Sequence, residues 1–336
     1  MRKWAGLVIR LGVTAGLLAL VLVRVDFRSL LDVVAGARWQ WLLAAVGLQF
    51  VTLLWAIRRW QVILVPFGIV AGFWRLTRLV FVGQFFNAFL PTGVGGDLFR
   101  AYYLGKSYER PFSVALVSTL LERDVGLCAL LLIGTAAAGY QRIEFQGVPL
   151  LYLFVALLAC FMVANLALFH GSLHELVIRL FRRFGRTDLT RKVEEVSDGL
   201  SRLRADKTAV IKTLGLSLVI QLLSVFIIWA AARAIHIESP VEAFLVFIPV
   251  IGLTTMIPLT INGFGLREGA YLLLFSQIQV PPERSITLSL IHFSLNLLSA
   301  IPGMLFYLPL RGERASVVST IEEYQHEKTL KDSETP

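Results

Sequence analysis

Charge is what this sequence has least of. Only 16% of its 336 residues are Asp, Glu, Lys or Arg, against about 25% in a soluble domain, so a water-facing surface over most of the chain is excluded. Cysteine is almost missing. Cys128 and Cys160 both fall inside apolar runs, which rules out a disulfide framework and reads as two buried, inert thiols. The histidines, at 170, 174, 236, 292 and 326, are scattered. His170 and His174 lie four apart without an evident third ligand, so no metal and no cofactor is expected. There is no P-loop, no Gly-x-Ser-x-Gly elbow, no His-Glu-x-x-His and no Cys-x-x-Cys, the signatures that nucleotide, acyl-transfer, zinc and redox chemistry would leave. The first apolar run, 4–23, lacks a small-residue cleavage pattern and reads as a retained span.

What is present is oil. The chain is 56% hydrophobic with a mean hydropathy of +0.71. Several runs approach the roughly 20 residues that cross a hydrocarbon core as a helix. These observations predict an all-α polytopic membrane protein. The net charge of +9 fits cytoplasmic loops rich in Lys and Arg rather than a nucleic-acid partner. Six full spans are expected, near 4–23, 39–57, 112–139, 148–169, 209–233 and 285–310. Residues 25–38 read as an interfacial helix. Arg58, Arg59 and Trp60 read as the cationic and aromatic anchor closing the second span, with 61–78 as a linker. Apolar residues at spacings of three and four across 170–208, a cation-rich stretch, predict amphipathic helices on the membrane surface. Residues 311–336 read as a polar cytoplasmic tail after a membrane domain spanning 1–310.

Two stretches interrupt this pattern. FLPTGVGGDLFRAY (89–102) and IPLTINGFGLREGAY (257–271) each carry a proline, then Gly-x-Gly, then a charge two residues on: Gly93, Gly95 and Asp97 in the first, Gly263, Gly265 and Arg267 in the second. The apolar segments before them, 79–90 and 243–257, are too short to cross. Each break therefore reads as the tip of a re-entrant hairpin, 79–104 and 243–278. With both termini cytoplasmic, this arrangement places the cation-rich loop inside, as the positive-inside rule requires. Two ordinary kinked spans would export it or other cationic groups. Three full spans separate the hairpins, so they enter from opposite faces, the signature of an inverted repeat. Broken helices at mid-membrane are where such transporters place substrate, and their ends offer unpaired N–H groups suited to phosphate.

Glu122, Arg123 and Asp124 fall inside the third span, where each charge costs about 2.5–3.5 kcal/mol on insertion scales, so they must pair or face water. A structural ion network joining that span to a hairpin competes evenly with substrate binding. Arg123 and Arg267 are the candidates for a phosphate, because guanidinium forks onto oxygens. Glu122 and Glu268 would balance them or meet a cationic group, Glu268 by holding Arg123 or through a local salt bridge. Asp97 reads as an N-cap or a site residue, and Arg100 as either interfacial or lining. Asn87 and Asn262 flank the breaks, in backbone-satisfying roles first and ligand contact second. His292 and Asn296, one turn apart, read as a helix–helix hydrogen bond before a proton relay.

FFNAFLPTGVGGDLFRAYYL (85–104), LLERDVG (120–126) and PLTINGFGLREGAYLLLF (258–275) together resemble the flippase-like membrane domain of the lysylphosphatidylglycerol synthase/flippase superfamily, the membrane half of the multiple peptide resistance factors. The resemblance covers about residues 5–310. It implies a stand-alone lipid translocase of the bacterial inner membrane, acting on membrane lipids, with Glu122, Arg123, Arg267 and Glu268 lining the path. The aminoacyl-transferase domain of the full synthases is not among these motifs, so lipid lysylation is not expected. The alternatives are a membrane-embedded lipid-modifying transferase, or a non-catalytic partner of a separate glycosyl- or aminoacyl-transferase. An oligomer is compatible with each.

Overall fold

The computed structural model describes residues 32–89, 95–145, 147–169, 201–203, 205–257, 259–260 and 263–308. Nine α-helices carry most of them: α1 Trp39–Leu64, α2 Phe73–Phe89, α3 Gly95–Ser107, α4 Phe112–Gln141, α5 Leu150–Phe169, α6 Lys207–Ala234, α7 Val241–Met256, α8 Leu266–Ser276 and α9 Pro282–Tyr307. A two-residue antiparallel ribbon, β1 Glu144–Phe145 on β2 Val148–Pro149, closes the turn between α4 and α5. The all-α membrane architecture is as expected. Among the described residues, α1 with its 3-10 extension to Phe67, α6 and α9 are long and apolar enough to cross a membrane. The first predicted span, most of 170–208, and the 311–336 tail lie outside the described residues, as do Gly93 and Asn262.

Both glycine-rich breaks join helices that fold back on each other. At the base of the first pair the Tyr108 hydroxyl accepts from the Gly72 N–H at 3.3 Å, and the Arg110 guanidinium donates to the Gly68 carbonyl at 3.2 Å. At its tip the Gly96 N–H donates to the Asn87 side chain at 2.9 Å. Between these points α2 and α3 touch backbone to backbone: a methyl on Gly96 would stand 1.9 Å from the Gly83 carbonyl oxygen. Only glycine permits that approach. In the second pair Phe244 and Phe247 both meet Phe275, with ring centroids 5.4 Å apart, while Gly263 lies against Thr255. Early residues of α7 thus face late residues of α8, an antiparallel hairpin.

Each half of the molecule runs long helix, hairpin, long helix. The leading helices α1 and α6 lie antiparallel: the Arg38 N–H donates to the Ala234 carbonyl at 2.8 Å, Trp41 meets Trp229 edge-on at 5.5 Å, and Arg59 reaches Ser217 at 3.1 Å. Packing across the halves is reciprocal, with α2 on α9 and α7 on α4. The turns match as well. Gly68 and His236 end α1 and α6 in left-handed conformation (φ 70° and 60°), and a helix restarts at Phe73 and at Val241. Glu109 and Gln279 leave the hairpins at φ 50° and 58°, where Arg110 N–H returns to Gly105 and Val280 N–H to Phe275. These are αL helix stops of the same kind. Pro111 and Pro281 then cap α4 and α9.

Three expectations are corrected. α1 does not end at Arg58-Arg59-Trp60; it continues to Leu64. Successive helical residues point about 100° apart, so Arg58 faces out, over the Phe73 ring at 4.4 Å, while Arg59 and Trp60 turn into the protein. The 61–78 linker shrinks to a short turn, because α2 begins at Phe73 and has 17 residues. Cys160 is exposed on the apolar flank of α5 and Cys128 is half-buried, so neither is a core thiol.

Candidate functional site

Five charged side chains converge where α1, α3 and α4 meet beside the first break. Asp97 is the third residue of α3, and Arg100 follows one turn later. Glu122 and Arg123 come from α4 and Arg59 from α1. Glu122 sits at the centre. One carboxylate oxygen lies 3.0 Å from Arg59 and the other 2.7 Å from Arg100. Asp97 lies 3.3 Å from Arg100 and accepts from Arg123 Nε at 2.6 Å. Four of the five are nearly sequestered: Arg59 is 9% exposed, Asp97 5%, Arg100 8% and Glu122 4%. Arg123 is the accessible member, with 42% of its side chain exposed.

Charges at such depth hold only by pairing. Among the described residues three guanidinium groups face two carboxylates, and Arg123 makes a further interaction besides. The Arg59 and Arg100 Nε atoms are buried without a hydrogen-bond acceptor among the described residues. Arg100 also lies over the Trp60 ring at 4.7 Å, and Trp60 donates to Ser118 at 3.1 Å. Stacking on an aromatic face stabilises a guanidinium where water is excluded. Chemically, this is a guanidinium-rich nest with one partly exposed member, Arg123, a donor set that suits a phosphate.

The second break builds a smaller, neutral site. Arg267 donates to Glu268 at 2.7 Å, and Ser289 of α9 contacts both at 3.1 and 3.0 Å. The other Glu268 oxygen accepts the Gly265 N–H at 2.6 Å, closing the first turn of α8. Arg267 is held between the Phe264 and Phe293 rings, at 5.1 and 5.2 Å. Gly263 and Gly265 adopt φ of 75° and 85°, a region open to glycine without strain. The Thr260 hydroxyl is buried here with no partner among the described residues.

Glu122, Arg123, Asp97 and Arg100 are thus brought together by contact. Arg267 and Glu268 form a separate local pair, so Glu268 does not hold Arg123. Asp124 turns away to Asn165 at 3.4 Å. Asn87 satisfies backbone, as expected. Gly95 is buried as the first residue of α3. Asn296 accepts from Gln49 at 3.3 Å, the anticipated helix–helix bond, and His292 Nδ1 meets the Tyr271 hydroxyl at 2.9 Å. Arg59, Trp60, Ser217 and Ser289 are site residues that sequence reasoning missed. For Arg59 a signal existed: the buried stripe Leu53, Ile57, Trp60 and Leu64 continues the helical period past the supposed anchor.

Residues 7–303 match the family described as "Lysylphosphatidylglycerol synthase TM region". A UPF0104 membrane protein of Methanocaldococcus jannaschii is 22% identical over 86% of this chain and 90% of its own length. A UPF0104 membrane protein of Methanothermobacter thermautotrophicus is 23% identical over 67% of this chain and 70% of its own. No solved structure matches the chain.

Proposed function

The chain belongs to the lysylphosphatidylglycerol synthase TM region family, and from that premise we propose that it is a lipid translocase of the plasma (inner) membrane, carrying an anionic or phosphate-bearing headgroup between leaflets while the acyl chains stay in lipid. The observation that carries the reading is the buried five-charge cluster. A network meant only to hold helices together is best neutral, because an uncompensated charge in hydrocarbon is costly. Among the described residues this one gathers three guanidinium groups on two carboxylates and leaves 42% of the Arg123 side chain exposed, which fits an anion that comes and goes. Asp97, Glu122 and Glu268 are each engaged by arginine, an arrangement that favours binding over general-base chemistry.

The architecture proposed is an inverted repeat. The antiparallel α1 and α6, the reciprocal packing of α2 on α9 and α7 on α4, and the matched helix stops support it. In this arrangement the first hairpin enters from the cytoplasm, where both termini lie, and the second from outside. The breaks then meet near the midplane, where such transporters bind substrate.

Purified protein in liposomes with a fluorescent anionic lipid tests the function. The expected result is headgroup movement between leaflets without a change of mass, lost in Arg123→Gln at unchanged reconstitution yield. A mass change in the lipid would favour a transferase instead. Movement that persists in Arg123→Gln would remove the cluster from the mechanism.

A further inference from the structure

Among the described residues four carboxylates stand at or beside the two breaks, and three are fixed by arginine: Asp97 by Arg100 and Arg123, Glu122 by Arg59 and Arg100, Glu268 by Arg267. Asp124 is the exception. It stands about 18 Å along α4 from Phe112, with about 26 Å of helix still to come, inside the third expected span and away from its ends. Two residues past Glu122, it points about 200° round the helix from it, out of the arginine cluster and onto α5. Its partner there is the Asn165 amide, whose Nδ2 donates to Asp124 Oδ1 at 3.4 Å and to the Phe161 carbonyl at 3.1 Å.

The charged and titratable groups around Asp124 can be named helix by helix. α5, Leu150–Phe169, carries no Asp, Glu, Lys, Arg or His; its titratable side chains are Tyr152 and Cys160. On α4 itself Cys128 lies one turn on. α6 presents the neutral Gln221, which donates to the Gly126 carbonyl at 3.1 Å. The charged residue of α7, Glu242, meets Gln141 at the far end of α4 through its carbonyl. Arg59 of α1 and Arg100 of α3 are turned to Glu122, and Arg123, the next residue to Asp124, is bonded to Asp97.

A carboxylate at this depth escapes the cost of an unpaired charge in one of two ways: it finds a cation or it takes up a proton. Asp97, Glu122 and Glu268 find cations, and protonating any of them would strand a buried guanidinium. Asp124 can take the second way without that penalty. An amide both donates and accepts, so Asn165 can serve the ionised acid through Nδ2 and the neutral acid through Oδ1. Arginine only donates, which ties its partner to the anion.

The proton also bears on the cluster. Arg123 and Asp124 are consecutive, and Arg123 is the exposed member of the nest. An anion held by Arg123 is repelled by an ionised Asp124 and not by a neutral one. Two unit charges about 12 Å apart, at an effective dielectric of about 20, repel by the equivalent of a tenfold change in affinity. Proton and anion therefore favour each other's binding, and the coupling is reciprocal.

We infer that Asp124, with Asn165, is a proton-binding site coupled to the anion site at Arg59, Arg100 and Arg123, so that a proton is taken up with each anion and released with it. The step adds a proton to a carboxylate oxygen and later removes it; no electrons move. A phosphodiester bears one negative charge, so its passage with one proton is electrically neutral, and a proton gradient supplies a driving force. The inference deepens the translocase reading and rests on it for the anion.

Binding to the detergent-purified full chain tests the coupling without transport. The probe is dihexanoyl phosphatidylmethanol, whose single phosphodiester charge is constant from mildly acidic to mildly alkaline solution. Wild type is expected to bind it about tenfold more tightly on the acidic side and to take up protons from weakly buffered solution as it binds. Asp124→Asn, which mimics the neutral acid, should bind tightly throughout and take up none; Asp124→Glu should keep the pH dependence. Dicyclohexylcarbodiimide, which attacks neutral carboxyl groups in apolar surroundings, gives a readout on wild type alone: Asp124 should be labelled, more so at lower pH, and Glu122 should not. Binding by wild type that ignores pH, pH dependence and proton uptake that survive Asp124→Asn, or an unlabelled Asp124 would overturn the inference. No binding of the probe at all would remove the anion site and both readings with it. Liposomes that move lipid while binding ignores pH leave the translocase reading standing and this one refuted; pH-linked binding without movement does the reverse.

Discussion

Glu122→Gln is the substitution to which the cluster should respond most. The side chain keeps its shape and loses one negative charge between Arg59 at 3.0 Å and Arg100 at 2.7 Å. At an effective dielectric of about 20, each contact is an attraction of roughly 5–6 kcal/mol before desolvation is set against it. Desolvation takes back several kcal/mol per ion, so the net cost of breaking a buried pair on one side is about 3–5 kcal/mol. Among the described residues three guanidinium groups would then share one carboxylate, Asp97. Removing a cation as well should relieve this. Arg59→Met combined with Glu122→Gln is expected to be less damaging than the sum of the single changes, with a coupling of about 1–3 kcal/mol. Unfolding by SDS titration in mixed micelles measures all three variants against wild type. Asp124→Asn is the control: among the described residues that carboxylate meets Asn165, at 3.4 Å, and its loss should cost under about 1 kcal/mol. Glu122→Gln within 1 kcal/mol of wild type (about a fivefold change in the folded ratio), or strict additivity with Arg59→Met, would refute the ion network as a unit.

Gly96→Ala should destabilise by about 3 kcal/mol or more, because its methyl would meet the Gly83 carbonyl oxygen at 1.9 Å, backbone against backbone. Gly47→Ala, with nothing within 4 Å, should be neutral, and thermal melts in detergent compare the two directly. Topology is open to water-soluble thiol reagents in a Cys128→Ala, Cys160→Ala background. Val70→Cys and Glu109→Cys, at the base of the first hairpin, should label from one face of sealed vesicles. Glu238→Cys and Gln277→Cys, at the base of the second, should label from the other. Labelling of either pair from both faces would dismantle the proposed inverted arrangement.

The hairpins were legible because membranes leave few choices. A run too short to cross, ended by proline and glycine, must turn back or be buried, and residues 79–104 and 243–278 did announce the antiparallel pairs α2–α3 and α7–α8. Asp97, Arg100, Glu122 and Arg123 were also legible, since intramembrane charge has few innocent explanations. Arg59 was not. Beside Arg58 and Trp60 it imitates an interfacial anchor; the apolar period through Leu53, Ile57, Trp60 and Leu64 shows that the helix continues inward there, but not what Arg59 meets. That depends on helical phase relative to α3 and α4, a tertiary fact. Arg267 shows the opposite ambiguity. Its spacing from Gly265 mirrors that of Asp97 from Gly95, which invited a shared role across the two breaks. Glu268, its immediate neighbour, closes the pair locally, and Ser289 completes it.

The two halves share a backbone plan but not its chemistry, and the difference suggests why the plan was kept. A symmetric pair of cationic nests would attract phosphate equally from both faces and hold it at whichever was reached first. In this chain the first break gathers charge at Arg59, Arg100 and Arg123, while at the second Arg267 is paired locally with Glu268. On the translocase reading, an anionic headgroup would then find one strong site rather than two. The two breaks thus differ in charge, and the likeness persists in the helix stops and in α2–α3 and α7–α8, which under the proposed inverted arrangement would open to opposite faces.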